Sequence, residues 1–500
     1  MRLPTYLGML FINYRMNSTD LEDTNRTYGQ FASGKTSPFV GNNVVEIGHF
    51  LIGDDTRRIS PELLPISTLW VDPSVLPHDP VAGSRVLFAG NTLSSLRTWL
   101  IQRVLQSNLS YSIHLPWSRQ SQSFPRRLEA SSLPRAGYAE MPSHDVVRLT
   151  LLERLQLLYL VPKAATAVAV EFCRRTLVSI LHGKLFDLRQ HKRNYAASVM
   201  LLMTGIPPRH LRWLRPLTTG DVVKSYCATN RISHEAVTLP DTDGLAPPAT
   251  LHFVGSKSTD SEGDVFVWFH GGGYIAPLQG CGTASRAAKA CNGKLVILEY
   301  QLAPENKYPG QLAQANAALR FLLRYRRMGQ IVIGGESGGG NLLLALLAHL
   351  QSPKPGLTAV TAEGNLRGLL AVSPRTRNQA VTASYDTNKW KDCLGRRSLR
   401  VITGHWQPKD DVWAGPDTAE VSFWDGLRAD KIIFIAGGDE VYRDDVVDTA
   451  GTITQAVGAD RVQLVICPGE MHVQASLDLA MGIEDGLTLK AIVDCLATLP

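Results

Sequence analysis

The sequence predicts an α/β protein whose central sheet is mostly parallel, with helices on both faces and a helical cap. From residue 248 to residue 500, short apolar runs alternate with segments of helical periodicity. The apolar runs end in loops, and in sheets of this kind functional residues gather in the loops at the carboxyl ends of the strands. Upstream of this alternation, residues 149–203 carry helical patterns, which predicts the cap.

The alternation supplies most of the predicted elements. The predicted strands are 251–254, 265–270, 295–300, 331–333, 369–372, 431–436 and 462–467. The predicted helices are 311–325, a leucine-rich helix after Ser337, and the amphipathic segment 486–499. Residues 374–424 form a long tryptophan-containing segment, which we expect either to join the cap or to decorate the surface.

The chain divides into two parts by composition. Residues 1–145 are rich in Ser, Pro, Asn and Arg without sustained periodicity, so we expect an irregular or poorly ordered extension. Three N-x-S/T triplets fall there, and we attach no role to them: Asn17, Asn25 and Asn108. Residues 146–500 are expected to fold as one domain, with cap helices in 146–225 and a core in 248–500 that carries the insertion 374–424.

The cap region predicts two amphipathic helices, 149–160 and 164–181, broken at Pro162 and Lys163, and a third at 195–203. They could pack on the core as a lid, or make peripheral membrane contact through residues 149–181. No run of 18 uncharged apolar residues occurs, and residues 1–15 lack the features of a signal peptide. We therefore expect a cytoplasmic or peripherally membrane-associated protein rather than a secreted one.

Composition excludes some function classes. The 51 basic and 45 acidic residues are scattered, so the net charge of +6 predicts no nucleic-acid partner. Seven cysteines without a C-x-x-C pair are typical of reduced thiols rather than of a disulfide framework. We expect no metal and no organic cofactor, and the sequence leaves the oligomeric state open.

A candidate nucleophile lies where the β-branched run 331–333 meets the leucine-rich helix. Residues 335–339 read Gly-Glu-Ser-Gly-Gly, which fits G-x-S-x-G. On a sharp strand-to-helix turn, flanking glycines let Ser337 expose its hydroxyl, and the following helix directs free N–H groups at the reacting centre. A glycine-rich turn without catalysis is the alternative interpretation.

A candidate oxyanion loop, His-Gly-Gly-Gly-Tyr at 270–274, follows the strand 265–270. Successive glycines leave backbone N–H groups unobstructed, and acyl transfer needs such donors for the oxygen that becomes negative. We expect the N–H groups of Gly271, Gly272 and Gly338 to form the hole. A phosphate-binding loop is disfavoured because no Lys-Ser/Thr follows the glycines.

A base and an orienting acid are expected in two later loops. Strand 431–436 runs into the acidic loop 437–445, and strand 462–467 runs into 468–472. Of the 13 histidines, only His472 lies both downstream of the acidic loop and directly after a strand, so it is the candidate base. The candidate acids are Asp439 and Glu440.

Five segments together resemble the hormone-sensitive-lipase-like branch of the α/β-hydrolases, in particular its fungal esterases and steryl acetyl hydrolases. They are HGGGY (270–274), EYQLAPENKYPGQL (299–312), GESGGGN (335–341), GGDEVYRDD (437–445) and PGEMH (468–472). The resemblance covers residues 146–500 and implies the α/β-hydrolase fold. The family usually has Asp and Ala where this chain has Glu336 and Gly338. Glu336 keeps the negative charge, and Gly338 keeps the backbone N–H.

The resemblance also implies roles for the candidate residues. Ser337 is expected as the nucleophile and His472 as the base, beside the His-Gly-Gly-Gly oxyanion loop. Set against the family's Asp-Pro-Leu-x-Asp loop, residues 440–444 put the acid at Glu440, with Asp439 as the competitor. The segment 299–312 is expected to support the oxyanion loop.

The expected function is that of a serine hydrolase that cleaves carboxylic esters through an acyl-enzyme. The expected substrate is a small lipophilic ester, with a short acyl group on an alcohol such as a sterol or a secondary metabolite. Two alternatives stay open: an acyl-transfer or tailoring enzyme of a biosynthetic pathway that uses the same triad, and a ligand-binding relative without catalysis.

Overall fold

The computed structural model describes residues 147–500. The predictions for residues 1–145, including the three N-x-S/T triplets, lie outside the described residues. Within them, eight strands form one sheet in the order β1-β2-β4-β3-β5-β6-β7-β8. They are β1 (His234–Leu239), β2 (Ala249–Val254), β3 (Val265–Phe269), β4 (Lys294–Glu299), β5 (Ile331–Glu336), β6 (Gly368–Val372), β7 (Ile432–Gly437) and β8 (Val462–Cys467).

The sheet is mostly parallel. β2 is antiparallel to both of its neighbours, β1 and β4, while the six strands from β4 to β8 in the sheet order pair in parallel. Seven of these strands lie where the apolar runs predict them, whereas β1 was not predicted. The predicted α/β class is confirmed.

Thirteen helices accompany the sheet within residues 147–500. They are α1 (Leu151–Leu181), α2 (Leu188–Val199), α3 (Leu202–Gly205), α4 (Pro208–Leu214), α5 (Thr219–Asn230), α6 (Gly282–Ala290), α7 (Gly310–Leu322), α8 (Gly338–Gln351), α9 (Ser384–Thr387), α10 (Arg396–Trp406), α11 (Arg443–Val457), α12 (Gln474–Ala480) and α13 (Leu487–Leu496). Three short 3₁₀ turns complete the set, at Met328–Gln330, Pro416–Thr418 and Val421–Trp424.

Both faces of the sheet are covered, as strand β3 illustrates. Val265, Val267 and Phe269 belong to one apolar core, and the intervening Phe266 and Trp268 belong to the other. This alternation follows from the two-residue period of a strand. Helices α7, α8 and α11 contribute to the first core, and α5, α6 and α13 contribute to the second.

The prediction of two helices broken at Pro162 was wrong, because α1 is continuous through that residue. Its start is stabilised by a capping box, in which the Thr150 hydroxyl accepts a hydrogen bond from the Glu153 N–H and the Glu153 carboxylate accepts one from the Thr150 N–H. A proline in a helix interior removes one backbone hydrogen bond, and the leucine- and alanine-rich turns on both sides have enough helix propensity to continue past it.

Helix α1 is also long and apolar enough, by length and composition, to cross a membrane, although only 17% of its most apolar window is buried in the structure. A search for uncharged apolar runs misses this helix, because charged residues such as Lys163 and Glu171 interrupt it. The third cap helix lies at Leu188–Val199 and is followed by the single turn Leu202–Gly205, rather than at 195–203.

Candidate active site

Ser337 lies between β5 and α8 on a turn that few side chains tolerate. Its backbone has φ 55° and ψ −114°, in the left-handed half of conformational space that non-glycine residues rarely adopt. A Cβ atom on Gly335 would collide with the carbonyl oxygen of Gly339, and one on Gly339 would collide with the carbonyl oxygen of Phe269. The glycines of G-x-S-x-G are therefore required by close backbone approach.

His472 meets this hydroxyl. Its Nε2 atom lies 2.9 Å from Ser337 Oγ, although the two residues are separated by 135 positions in the chain. The imidazole is almost completely buried, and the ring of Tyr442 packs edge-on against it with centroids 4.9 Å apart. A neutral His472 with an unprotonated Nε2 can accept the Ser337 proton at this distance.

Glu440, rather than Asp439, faces the other side of His472. A carboxylate oxygen of Glu440 lies 3.6 Å from His472 Nδ1, and the Glu440 side chain is completely buried. Within residues 147–500, neither oxygen of Glu440 nor Nδ1 of His472 has a hydrogen-bond partner, so the two groups face each other as an ion-pair contact. Asp439 instead forms an ion pair of 3.1 Å with Lys391, and both side chains are partly exposed to solvent.

The charges around His472 favour its protonated form. Burial by itself would lower the pKa of the imidazole, but the Glu440 carboxylate, with further contributions from Asp392 and Glu336, outweighs burial and raises the pKa above the usual value. A raised pKa suits a group that must take a proton from a serine and later return it.

The glycine loop after β3 lies against the serine turn. A Cβ atom on Gly271 would be 3.4 Å from Cβ of Ser337, and one on Gly338 would be 3.2 Å from the backbone nitrogen of Gly273. Gly272 and Gly273 have φ of +98° and +59°, so the loop adopts a conformation that glycine accepts without strain. Of the three expected donors, Gly271 and Gly338 thus lie against the serine turn, and the backbone nitrogen of Gly273, which the sequence reasoning did not single out, lies next to Gly338.

His270 holds the start of this loop as a neutral group. Its Nδ1–H donates to the carbonyl of Gly271 at 2.7 Å, and burial lowers the pKa of His270 to about 4. The Tyr300 hydroxyl donates to the His270 carbonyl at 2.7 Å, and the two rings stack with centroids 4.2 Å apart. The N–H of Ala303 donates to the carbonyl of Tyr274 at 2.7 Å. The segment 299–312 therefore contacts and orients the glycine loop.

Two further acids lie next to these residues. Glu336 precedes the serine and is buried, accepting a hydrogen bond from the Ser476 hydroxyl at 2.5 Å, and burial raises the pKa of Glu336 to about 7. Asp392 is buried between the loops that carry Glu440 and His472. Sequence reasoning missed Asp392 because a single acidic residue in the tryptophan-containing segment belongs to no motif.

The described part of the chain contains no group of three or more His, Cys, Asp or Glu side chains arranged to hold a metal ion. The residues gathered around Ser337 combine a hydroxyl, an imidazole and a buried carboxylate beside a glycine loop. Such an arrangement can carry out nucleophilic acyl transfer through the protein's own groups.

The fold and this arrangement define an α/β-hydrolase domain. Residues 266–476 match the family described as having the alpha/beta hydrolase fold. The resemblance predicted from the five motifs, to the hormone-sensitive-lipase-like branch and its fungal esterases, is confirmed.

Several of the relatives found by sequence are esterases by name. Versiconal hemiacetal acetate esterase of Aspergillus parasiticus is 30% identical over 155 residues, which cover 30% of this chain and 49% of that protein. Esterase LipI of Mycobacterium tuberculosis is 30% identical over 109 residues, which cover 20% of this chain and 34% of that protein. The chain thus spans between a third and a half of the length of these two curated relatives.

A solved structure with a similar fold is carboxyl esterase 2 from the mycorrhizal fungus Tuber melanosporum. It is 18% identical, with a TM-score of 0.44, and the match covers 53% of this chain and 85% of that one.

Proposed function

We propose that the protein is a serine esterase that hydrolyses carboxylic esters through an acyl-enzyme. The contact that carries this proposal is the 2.9 Å approach of His472 Nε2 to Ser337 Oγ, on a strained turn beside the glycine loop. The esterase names of the relatives support the same reaction class.

In the proposed mechanism, Ser337 Oγ attacks the acyl carbon while His472 accepts its proton. Glu440 stabilises the imidazolium that forms and holds the tautomer with the proton on Nδ1. Backbone N–H groups of Gly271, Gly272 and Gly338 stabilise the negative oxygen of the tetrahedral intermediate. His472 then protonates the leaving alcohol, and water activated by the same imidazole releases the acid.

We expect the substrate to be a small lipophilic ester with a short acyl group. Apolar side chains of the segment 374–424 lie next to the glycine loop. Ile402 of α10 contacts Gly273, since a Cβ atom built on Gly273 would be 2.7 Å from Cδ1 of Ile402. The Trp406 ring stacks on Tyr274 with centroids 4.5 Å apart. The apolar side chain of Ile402 next to the glycine loop favours an uncharged, lipophilic alcohol or acyl group, such as an acetylated sterol or secondary metabolite.

Covalent labelling with a fluorophosphonate probe, followed by mapping of the labelled peptide, tests the nucleophile. We expect label on Ser337 and turnover of p-nitrophenyl acetate that Ser337→Ala abolishes, while the exposed Ser422→Ala keeps both. Release of the free acid, rather than its transfer to an added alcohol or amine, distinguishes hydrolysis from acyl transfer. Label at another residue, or a Ser337→Ala variant with normal turnover, contradicts the proposal.

Peripheral membrane contact through α1 is a second part of the proposal. The helix exposes large apolar side chains, namely Leu151, Leu152, Tyr159, Leu177 and Leu181. An apolar helix surface of this kind inserts into the lipid interface. We expect the full chain to co-sediment with phosphatidylcholine vesicles and a Leu152→Asn/Tyr159→Asn variant to lose this binding. A Leu245→Asn variant, which changes an exposed leucine in a loop, should keep it. Equal binding by all three proteins contradicts this part.

A further inference from the structure

Asp392 joins the two loops that carry the proposed acid and base. It belongs to the segment 374–424, and its side chain is buried. One carboxylate oxygen accepts hydrogen bonds from the backbone N–H groups of His472 at 3.0 Å and Cys393 at 2.7 Å. The other oxygen accepts from the N–H of Val441, the residue after Glu440, at 2.7 Å. One carboxylate therefore spans the acid loop and the histidine loop.

The hydrogen bonds identify the form of this carboxylate. All three partners of Asp392 are N–H groups, which only donate, so both oxygens act as acceptors, as in the ionised form. Burial, followed by the nearby Glu440 carboxylate, raises the pKa of Asp392 above its usual value, although His472 and the N–H groups of Val441 and His472 oppose this effect. A buried carboxylate that accepts several backbone hydrogen bonds can stay charged without a partner cation.

The neighbouring residues keep Asp392 in place. Asn388 donates from Nδ2 to the carbonyl oxygens of Gly438 at 3.1 Å and Glu440 at 2.9 Å, which ties the same segment to the acid loop. Arg175 of α1 donates to the carbonyl oxygen of Lys391 at 2.9 Å and also to that of Asp392. The cap helix and the acid loop thus hold Asp392 from two sides.

The charged groups facing His472 come from three elements. Glu440 lies in the loop after β7, Asp392 in the segment 374–424 and Glu336 at the end of β5, and all three raise the pKa of the imidazole. The Tyr442 ring packs against the imidazole as an uncharged neighbour, because burial keeps the pKa of its phenol high. Asp392 is the one of these acids that also binds the His472 backbone.

We propose that Asp392 is a positioning residue of the reaction: its carboxylate fixes the backbone of His472 relative to that of Glu440 and stabilises the imidazolium that forms when Ser337 attacks. This proposal rests on the proposed esterase function. It gives the tryptophan-containing segment a part in the chemistry rather than a covering role alone.

Asp392→Asn is the direct test. An amide has one acceptor oxygen and an NH₂ group that would face a backbone N–H, so at least one of the three hydrogen bonds is lost and the negative charge disappears. We expect kcat for p-nitrophenyl acetate to fall about ten- to a hundredfold with KM nearly unchanged. We also expect the acid limb of the pH–rate profile to move to lower pH by about one unit, since removing an anion next to an imidazolium lowers its pKa.

The matched control is Asp386→Asn, which removes an exposed carboxylate of the same segment that pairs with Arg396. We expect kcat and the acid limb to stay unchanged in this control. Should Asp392→Asn fail to fold, Arg175→Lys is the second variant, because it weakens the hydrogen bonds to the carbonyl groups of residues 391 and 392 and so loosens the same segment. It retains the charge of Asp392. We therefore expect kcat to fall while the acid limb of the pH–rate profile stays in place.

Titration of the His472 imidazole by NMR provides a readout that does not depend on turnover. An inactive wild-type protein would refute the esterase proposal, while a lower imidazole pKa in Asp392→Asn would still support the role of Asp392. An unchanged imidazole pKa overturns the positioning role even if kcat falls, because a purely structural defect would lower activity without moving the titration.

Discussion

Exchanging each of two adjacent acids for its amide tests the assignment of the proposed triad acid. Glu440→Gln keeps the size of the side chain but removes the carboxylate that faces His472 Nδ1. The amide can donate to Nδ1 and thereby favour the tautomer that has its proton on Nε2, which cannot accept the serine proton. Asp439→Asn removes a carboxylate that points to Lys391 instead.

The expected magnitudes follow from distance and burial. Two unit charges 3.6 Å apart, as Glu440 and a protonated His472 are placed, attract by about 5 kcal/mol at an effective dielectric constant of about 20. Loss of most of this attraction in the transition state corresponds to a fall in kcat of about 10³–10⁴-fold. The exposed pair of Asp439 and Lys391 is worth less than about 1 kcal/mol, and it does not involve the imidazole.

Steady-state hydrolysis of p-nitrophenyl acetate at pH 8 measures both variants against the wild type, and circular dichroism verifies that each one folds. We expect the activity of Asp439→Asn to stay within about twofold of wild type, since a surface ion pair contributes little. If Asp439→Asn loses more activity than Glu440→Gln, the assignment of Glu440 as the acid is wrong.

Three further predictions concern the serine turn and its surroundings. Gly339→Ala forces a Cβ atom onto the Phe269 carbonyl oxygen, so it should lower the melting temperature and abolish turnover. The control Gly451→Ala lies in open space within α11 and should stabilise the protein by about 0.5–1 kcal/mol. A stable, active Gly339→Ala protein would contradict the geometry of the turn. Because the folded-state pKa of Glu336 is raised from 4.5 to about 7, its contribution to stability is complete below pH 4.5 and is lost as the pH rises through 7. Urea unfolding should therefore show that the free energy of unfolding of the wild type is lower at pH 8 than at pH 5 by up to about 3 kcal/mol, and that Glu336→Gln lacks this decrease. Equal decreases in both proteins would exclude Glu336 as the cause. The raised pKa of His472 predicts that the acid limb of kcat/KM lies above pH 6.5, and a midpoint below that value would show that burial outweighs the neighbouring carboxylates.

The parts of the site that were predictable depend on local chemistry. A β-branched run followed by G-x-S-x-G and a leucine-rich helix is recognisable from sequence neighbours alone. The collision that demands glycine at position 335 arises within the turn, whereas the one at position 339 is with Phe269 of the neighbouring strand β3. The position of His472 directly after a strand was predictable for the same reason, since the carboxyl ends of parallel strands lie at one edge of the sheet.

Other features depend on the packing of distant segments. Pro162 does not end α1, because a single lost hydrogen bond is outweighed in a long helix whose flanking turns have high propensity. The local loop pattern favoured Glu440 but left Asp439 as a competitor. What separates them in the structure includes a distant contact, because Lys391, 48 positions away, binds Asp439 at the surface.

Asp392 extends this reasoning to the chemistry itself. Its hydrogen bonds to the backbone of Val441 and His472 cross 49 and 80 positions of sequence, so no periodicity or motif could indicate them. The local motif supplies the nucleophile, but the alignment of its acid and base depends on a segment outside every recognised motif. Relatives that share the G-x-S-x-G turn and differ in this segment are therefore expected to differ in the pKa of the base, because the charge next to the imidazole changes while the nucleophile does not.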